Sequence, residues 1–200
     1  MKTSIVTIAI ALSTVFGISK SGFAATRTTE EATTLTEVSR ISKIEVHGNV
    51  ELFVSDGTTD EVKVYNHYYA ESALVQNENG VLRISSYTDQ KLVVWVKAST
   101  LREMSLYDNA EVKSFGSFSA IELDVKLHNN ASAQLKMDAY TANITLNDHA
   151  KADLTGSITE GTINYDQSSY LNLTNLETGH LTKTVNFDTK IKCAAEYATL

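Results

Sequence analysis

No proline occurs anywhere in the 200 residues, against a usual share of about 5%. Proline removes a ladder N–H and is confined to strand edges and bulges, so its absence suits a chain whose backbone is mostly paired in sheets. Cysteine is almost as scarce, with Cys193 alone near the C-terminus. That excludes an intrachain disulfide framework and a structural zinc site built on several thiolates. Basic charge is thin: 17 Lys and Arg face 24 Asp and Glu, a formal net charge of −7, with no Lys/Arg cluster to offset it. A surface of this sign repels phosphate backbones and argues against nucleic acid as a partner. The five histidines, at 47, 67, 128, 149 and 180, show no paired ligand spacing. The G-x-S-x-G elbow, the P-loop, the Rossmann fingerprint and the Gly-Gly-Asp calcium repeat are also missing. Neither a cofactor nor a metal is expected.

One apolar run stands out, at the start. In MKTSIVTIAIALSTVFGISKSGFA, Lys2 precedes an apolar stretch from Ile5 to Ile18, and small residues follow up to Gly22 and Ala24. This is the layout of a secretory signal peptide over residues 1–24, cleaved between Ala24 and Ala25. The run is shorter than the roughly 20 residues a membrane-spanning helix needs, so no transmembrane segment is expected in the mature chain. Loss of Lys2 and Lys20, with no acid, moves the formal charge from −7 to −9. Residues 25–40 are polar and Thr-rich and read as a flexible leader.

What remains is rich in Val, Ile, Thr and Tyr, residues that fit a pleated, half-buried surface. Alternation begins at Ile41. Ile44 and Val46 share one face, and Val50, Leu52 and Val54 resume the pattern after His47-Gly48-Asn49. Asp56-Gly57 is a turn signal, and LVQNENGVLRIS reads as a hairpin around Asn79-Gly80. KLVVWVKA is apolar on both faces, which predicts a buried strand with Trp95 in the core.

Beyond Leu101 the texture changes. LYDNAEV, LHNNASA, LNDHAKA and YDQSSYL start at Leu106, Leu127, Leu146 and Tyr165, spaced by 21, 19 and 19 residues. Each has a large apolar residue, a polar stretch and a small residue (Ala110, Ala131, Ala150, Ser169), with Phe115, Leu135, Leu154 or Leu173 further on. A period near twenty is a solenoid signature. It predicts an all-β, parallel β-helix of the single-stranded solenoid type, right-handed by the general crossover preference, with coils about 4.8 Å apart. The expected domain is 41–190, with N-terminal strands over 41–100 packed on repeats over 101–190 and a cap or tail over 191–200.

The repeat also settles how to read Asp148-His149, which alone suggests an acid–base pair. One column holds Asp108, Asn129, Asp148 and Gln167, and the next Asn109, Asn130, His149 and Ser168. His149 fills a slot taken elsewhere by Asn, Asn and Ser. Asn and Asp tolerate left-handed backbone angles and bond their neighbours, so the column reads as a corner. Asp108 and Asp148 lie two coils, or about 9.6 Å, apart, near the upper end for an inverting glycosidase pair. The column Lys113, Gln134, Asp153, Asn172 holds no cluster of acids. No catalytic residue is assigned.

The opening strand pair around IEVHGNVELFV, the NGVLRIS strand, and LREMSLYDNAEV leading into stacked repeats resemble the putative auto-transporter adhesin head domains, also called GIN domains. The resemblance runs from about Ile41 to Phe187. It implies an exported protein of the kind found largely in Bacteroidetes-type bacteria, with β-helix-like coils and no enzymatic activity established for the family. The family's corners are usually Gly/Ser-rich. Here they are DNA, NNA, DHA and QSS, which leaves the fold intact and makes the corner face more polar.

These observations lead to an exported, non-catalytic module that presents a surface, in the periplasm or on the outer cell surface. Its expected partner is a glycan or an envelope protein, and homo-oligomers are compatible with it. The candidate surface comprises Asp108, Asn109, Asn129, Asn130, Asp148, His149 and Gln167, with Tyr65, Tyr68 and Tyr69 as a second cluster. A polysaccharide lyase or hydrolase on the same scaffold, and a purely structural envelope protein, are the alternatives.

Overall fold

The computed structural model describes residues 32–35, 40–65 and 73–187. Thirteen strands join in one sheet. They are β1 (Ala32–Leu35), β2 (Lys43–Gly48), β3 (Val50–Asp56), β4 (Glu61–Tyr65), β5 (Ala73–Glu78), β6 (Val81–Ser86), β7 (Leu92–Ala98), β8 (Glu103–Leu106), β9 (Glu111–Ser114), β10 (Phe118–Leu127), β11 (Ser132–Leu146), β12 (Lys151–Asp166) and β13 (Tyr170–Asn186).

Two arms of the sheet meet at β11. One runs β5-β6-β2-β8-β10 and the other β1-β4-β7-β3-β9, and β12 and β13 follow β11. Period-two alternation explains why each strand has one buried face: β2 reads Lys43 out, Ile44 in, Glu45 out, Val46 in. The inward sets of both arms form one contiguous core, including Ile44, Leu52, Met104, Leu127, Leu135 and Ile144. The sheet must curl to bury both arms against each other.

The all-β expectation holds, and the parallel stacking expected of a β-helix is seen over part of the sheet. The chain is all-β, but its sheet is mixed and curled, not a uniform parallel helix. β10 to β13 are paired in parallel, with registers that advance by 19 to 20 residues. β1, β4 and β5 run antiparallel at the two margins. The reason is local: Asn79 (φ 53°) and Gly80 (φ 82°) both adopt positive φ, which folds β5 straight back on β6. A twenty-residue period says how coils stack and nothing about how a sheet ends.

The repeat also starts earlier than expected. β2 and β3 pair in parallel with β8 and β9, with Lys43 opposite Glu103 and Glu51 opposite Glu111. His47-Gly48-Asn49 therefore occupies the same corner as Tyr107-Asp108-Asn109, sixty residues on. The intervening β4–β7 segment breaks the twenty-residue spacing between these two corners. Phe115 is a smaller slip. Val112 lies opposite Ala133 and Lys113 opposite Gln134, which puts Ser114 in the Leu135 position and leaves Phe115 64% exposed.

Asp60 ties the chain just before β2 to the chain just after β7. Its carboxylate accepts hydrogen bonds from the Ile41 N–H at 2.6 Å, the Ser99 N–H at 2.8 Å and the Ser99 hydroxyl at 2.9 Å. Desolvation pushes its pKa up, but the Ser99 and Ile41 N–H bonds, with the Ser99 hydroxyl and the Arg40 charge, outweigh that and hold it below its ordinary 3.8. A depressed carboxyl stabilises the fold fully above its unfolded value. That contribution is lost as pH falls from 3.8 through the lower folded value. Asp60→Asn should therefore flatten the acid side of a plot of urea midpoint against pH. An unchanged acid slope would show that the clamp carries no linkage.

Candidate functional site

The first candidate surface is the corner column. Each corner closes by an N–H···O=C bond across four residues: Ala110 to Tyr107 (3.2 Å), Ala131 to His128 (3.1 Å), Ala150 to Asn147 (3.3 Å) and Ser169 to Asp166 (3.1 Å). Asp108, Asn129 and Asp148 all have φ of 60–62°, the left-handed region that Asn and Asp tolerate best among residues with side chains. Gly48, at φ 83°, holds the same place one coil earlier. Gln167 shares the column without a positive φ. The small residues that follow, Ala110, Ala131 and Ala150, are buried because the chain turns inward there.

The polar corner atoms are largely used up between coils. Asp108 accepts from the Gly48 N–H at 3.1 Å with one oxygen and from the Asn129 amide at 3.2 Å with the other. Asp148 accepts from the Asn129 N–H at 3.2 Å. The Asn130 amide donates to Asn109 at 3.4 Å, and the His149 N–H donates to the Asn129 carbonyl at 2.9 Å. Ser168 and Ser169 both donate to the Asp148 carbonyl. Beside them His47, Tyr107 and His128 stack face to face at 4.4 and 4.7 Å, and His128 Nδ1 meets the Asn147 amide at 3.1 Å.

These carboxylates satisfy backbone donors that the corners would otherwise strand, so the Asp148-His149 pair is part of a turn. Asp153, in a neighbouring column, accepts from the Asn172 amide at 3.1 Å. A general acid working near neutrality needs its pKa raised. Among the described residues, every carboxyl with a displaced pKa is displaced downward. Glu45 is held low by its Lys43 hydrogen bond against desolvation, with Lys43 and Arg83 charges adding to it. Glu103 is held low by Lys126 in the same way, with Lys43 assisting.

The second candidate surface lies on the outer face of the other arm, and sequence reasoning missed its centre. Trp95 is not in the core. Val94 and Val96 point inward, while Trp95 and Lys97 point outward. Pairing sets Lys63, Trp95, Phe53 and Lys113 side by side across β4, β7, β3 and β9. The Trp95 ring stacks on Phe53 at 4.7 Å, meets Phe115 tilted at 5.1 Å and meets the Tyr65 edge at 6.4 Å. Lys113 Nζ lies 5.9 Å from the Phe53 ring centre. The signal was available in KLVVWVKA, where Lys91 and Lys97 share the parity of Trp95 and mark that face as outward. Of the expected tyrosine cluster, Tyr65 joins this patch; Tyr68 and Tyr69 lie outside the described residues, as do Ala24, Ala25 and Cys193.

Ion pairs rim the patch. Lys63 meets Glu61 at 2.9 Å, Lys113 meets Glu51 at 2.6 Å and Glu111 at 3.7 Å, and Lys91 meets Glu111 at 2.7 Å. The Glu51 hydrogen bond holds the Lys113 pKa above its ordinary value against desolvation, with the Glu51 and Glu111 charges adding to it. No group of three or more candidate metal ligands occurs among the described residues. No helix among them is long and apolar enough to cross a membrane.

The class is thus an all-β protein built on one curled, mixed sheet. The family model for the "putative auto-transporter adhesin, head GIN domain" matches residues 40–196, and the chain belongs to that family. Solved structures share the fold, three of them with TM-scores above 0.5 as follows. A putative lipid binding protein from Parabacteroides distasonis aligns with TM-score 0.63 at 8% identity, covering 78% of each chain. A putative adhesin from the same organism gives 0.59 at 17% identity over 80% of each chain. A putative adhesin from Parabacteroides merdae gives 0.56 at 16% identity, over 78% of this chain and 77% of the other. No curated protein matches the chain.

Proposed function

We propose that this chain is an exported, non-catalytic binding module of the adhesin type, which presents the outer faces of a rigid sheet to a partner at the cell envelope. The observation that carries the reading is the aromatic patch around Trp95, held on a sheet whose own ion pairs and corner ladders fix its shape. Rigid rings bury area at little cost in rotamer freedom, which suits recognition. The stacked coils from 101 to 187 act as a solenoid-like spine that sets the spacing of surface rows. Residues 1–24 direct export, with cleavage between Ala24 and Ala25, to the periplasm or the outer surface.

The test has two parts. N-terminal sequencing of the chain recovered after expression in its own cells should start at Ala25. The purified protein should then be retained on at least one member of a panel of polysaccharides and envelope proteins, with no release of new chain ends. Release of chain ends would overturn the non-catalytic reading. Retention on nothing would leave a structural role in its place.

A further inference from the structure

We propose that the patch formed by Trp95, Phe53 and Phe115 is a subsite for an uncharged pyranose ring of a glycan, which deepens the binding-module reading above and rests on it. The patch offers the two things a sugar ring asks for. Phe115, 64% exposed and tilted 57° to Trp95, gives an open aromatic surface for the C–H face of the ring. Around it stand groups able to bond hydroxyls. Lys97 is exposed, forms no ion pair among the described residues, and follows Trp95 on the same face of β7. Its stem is held against Gly57, where an added Cβ would come within 2.2 Å of Lys97 Cγ and Cδ. Glu61 and Lys63 lie on the neighbouring strand, 2.9 Å from each other. Neighbouring strands are about 4.8 Å apart, comparable to the length of one sugar unit, so consecutive rings could follow consecutive rows.

Charge and size favour this occupant over others. Lys63, Lys91 and Lys113 are matched by Glu61, Glu51 and Glu111, which leaves Lys97 as the single excess charge at the patch on a chain that carries −7, so an anionic polymer or anionic lipid surface meets little net attraction. A stable protein partner needs about 800 Å² from each side, far more than a few half-exposed rings supply. An uncharged sugar needs neither a net field nor a large area.

Trp95 is the only tryptophan, so the chain's indole fluorescence reports on this patch alone. The test titrates the purified full chain with neutral polymers (glucan, mannan, xylan) and with an acidic one (polygalacturonate). Trp95 emission and retention are followed together. A neutral polymer should shift the emission, and Phe115→Ala should weaken its retention at least tenfold. Lys97→Gln should weaken it severalfold, and Tyr140→Ala, at an exposed position of β11 outside the ring cluster, should leave it unchanged. Circular dichroism of each variant checks that it is folded; if Phe115→Ala is not, Lys97→Gln carries the decision. Retention of a neutral polymer with unchanged Trp95 emission and normal Phe115→Ala and Lys97→Gln would overturn the subsite and leave the binding-module reading standing. Retention of polygalacturonate alone, or of no polymer, would overturn the uncharged-sugar assignment. Chain cleavage would overturn both.

Discussion

Gly156→Ala should lower stability by about 3–5 kcal/mol, read as a fall in the urea midpoint with unchanged slope. Gly156 has φ +103°, and a Cβ built there would lie 2.0 Å from the Met137 carbonyl oxygen and 3.0 Å from its carbon. Met137 is the residue directly opposite on β11. The clash is between backbones, so no rotamer change relieves it; β12 would have to part from β11 where the sheet bends. Strained φ alone costs roughly 1–3 kcal/mol. Gly116 separates the two terms, because it has φ +85° and nothing within 4 Å of an added Cβ. Gly116→Ala should cost only the strain, about 1–2 kcal/mol. Equal losses in the two variants would show that close approach at Met137 is not what reserves position 156 for glycine.

The same position shows why sequence reasoning reached some features and not others. Gly156 lies inside TGSITEG, where nothing in the period distinguishes it; its requirement comes from the coil before it. The corners were legible because their constraint is local: a left-handed residue and a small inward residue recur in three successive coils, at Asp108 and Ala110, Asn129 and Ala131, and Asp148 and Ala150. Asp108, Asn129 and Asp148 fall into one column for that reason. His47-Gly48-Asn49 obeys the same rule, but the β4–β7 strands inserted after it stretch the offset to the next corner to sixty residues. The apolar run around Trp95 suggests two buried faces, although the lysines at 91 and 97 mark one of them as outer. The aromatic patch draws on Phe53, Tyr65, Trp95 and Phe115, which only strand order brings together. Strand order in this chain departs from chain order, with β7 next to β3 and β2 next to β8. No periodicity in the sequence encodes that.

The corner carboxylates should prove to be structural, and Asp108 gives the sharpest case. Its two oxygens hold the Gly48 N–H and the Asn129 amide, linking three successive coils, and its φ is 62°. Asp108→Asn keeps a side-chain acceptor and a residue type that tolerates positive φ, so it should cost less than about 1 kcal/mol. Asp108→Gly keeps the backbone angle and strands the Gly48 donor, which costs about 1–3 kcal/mol. Asp108→Ala strands the donor and adds about 1–2 kcal/mol for left-handed backbone with a Cβ, making it the worst of the three. The expected order of urea midpoints is therefore wild type, Asn, Gly, Ala. A catalytic carboxylate would give a different pattern: Asn would be as damaging as Ala to function, and all three would unfold near the wild-type midpoint. If Asp108→Ala matches wild type in stability, the inter-coil ladder contributes nothing and the acid column must be reconsidered as a site. If the predicted order holds, the column is part of what keeps the coils in register, and recognition is left to the faces between the corners.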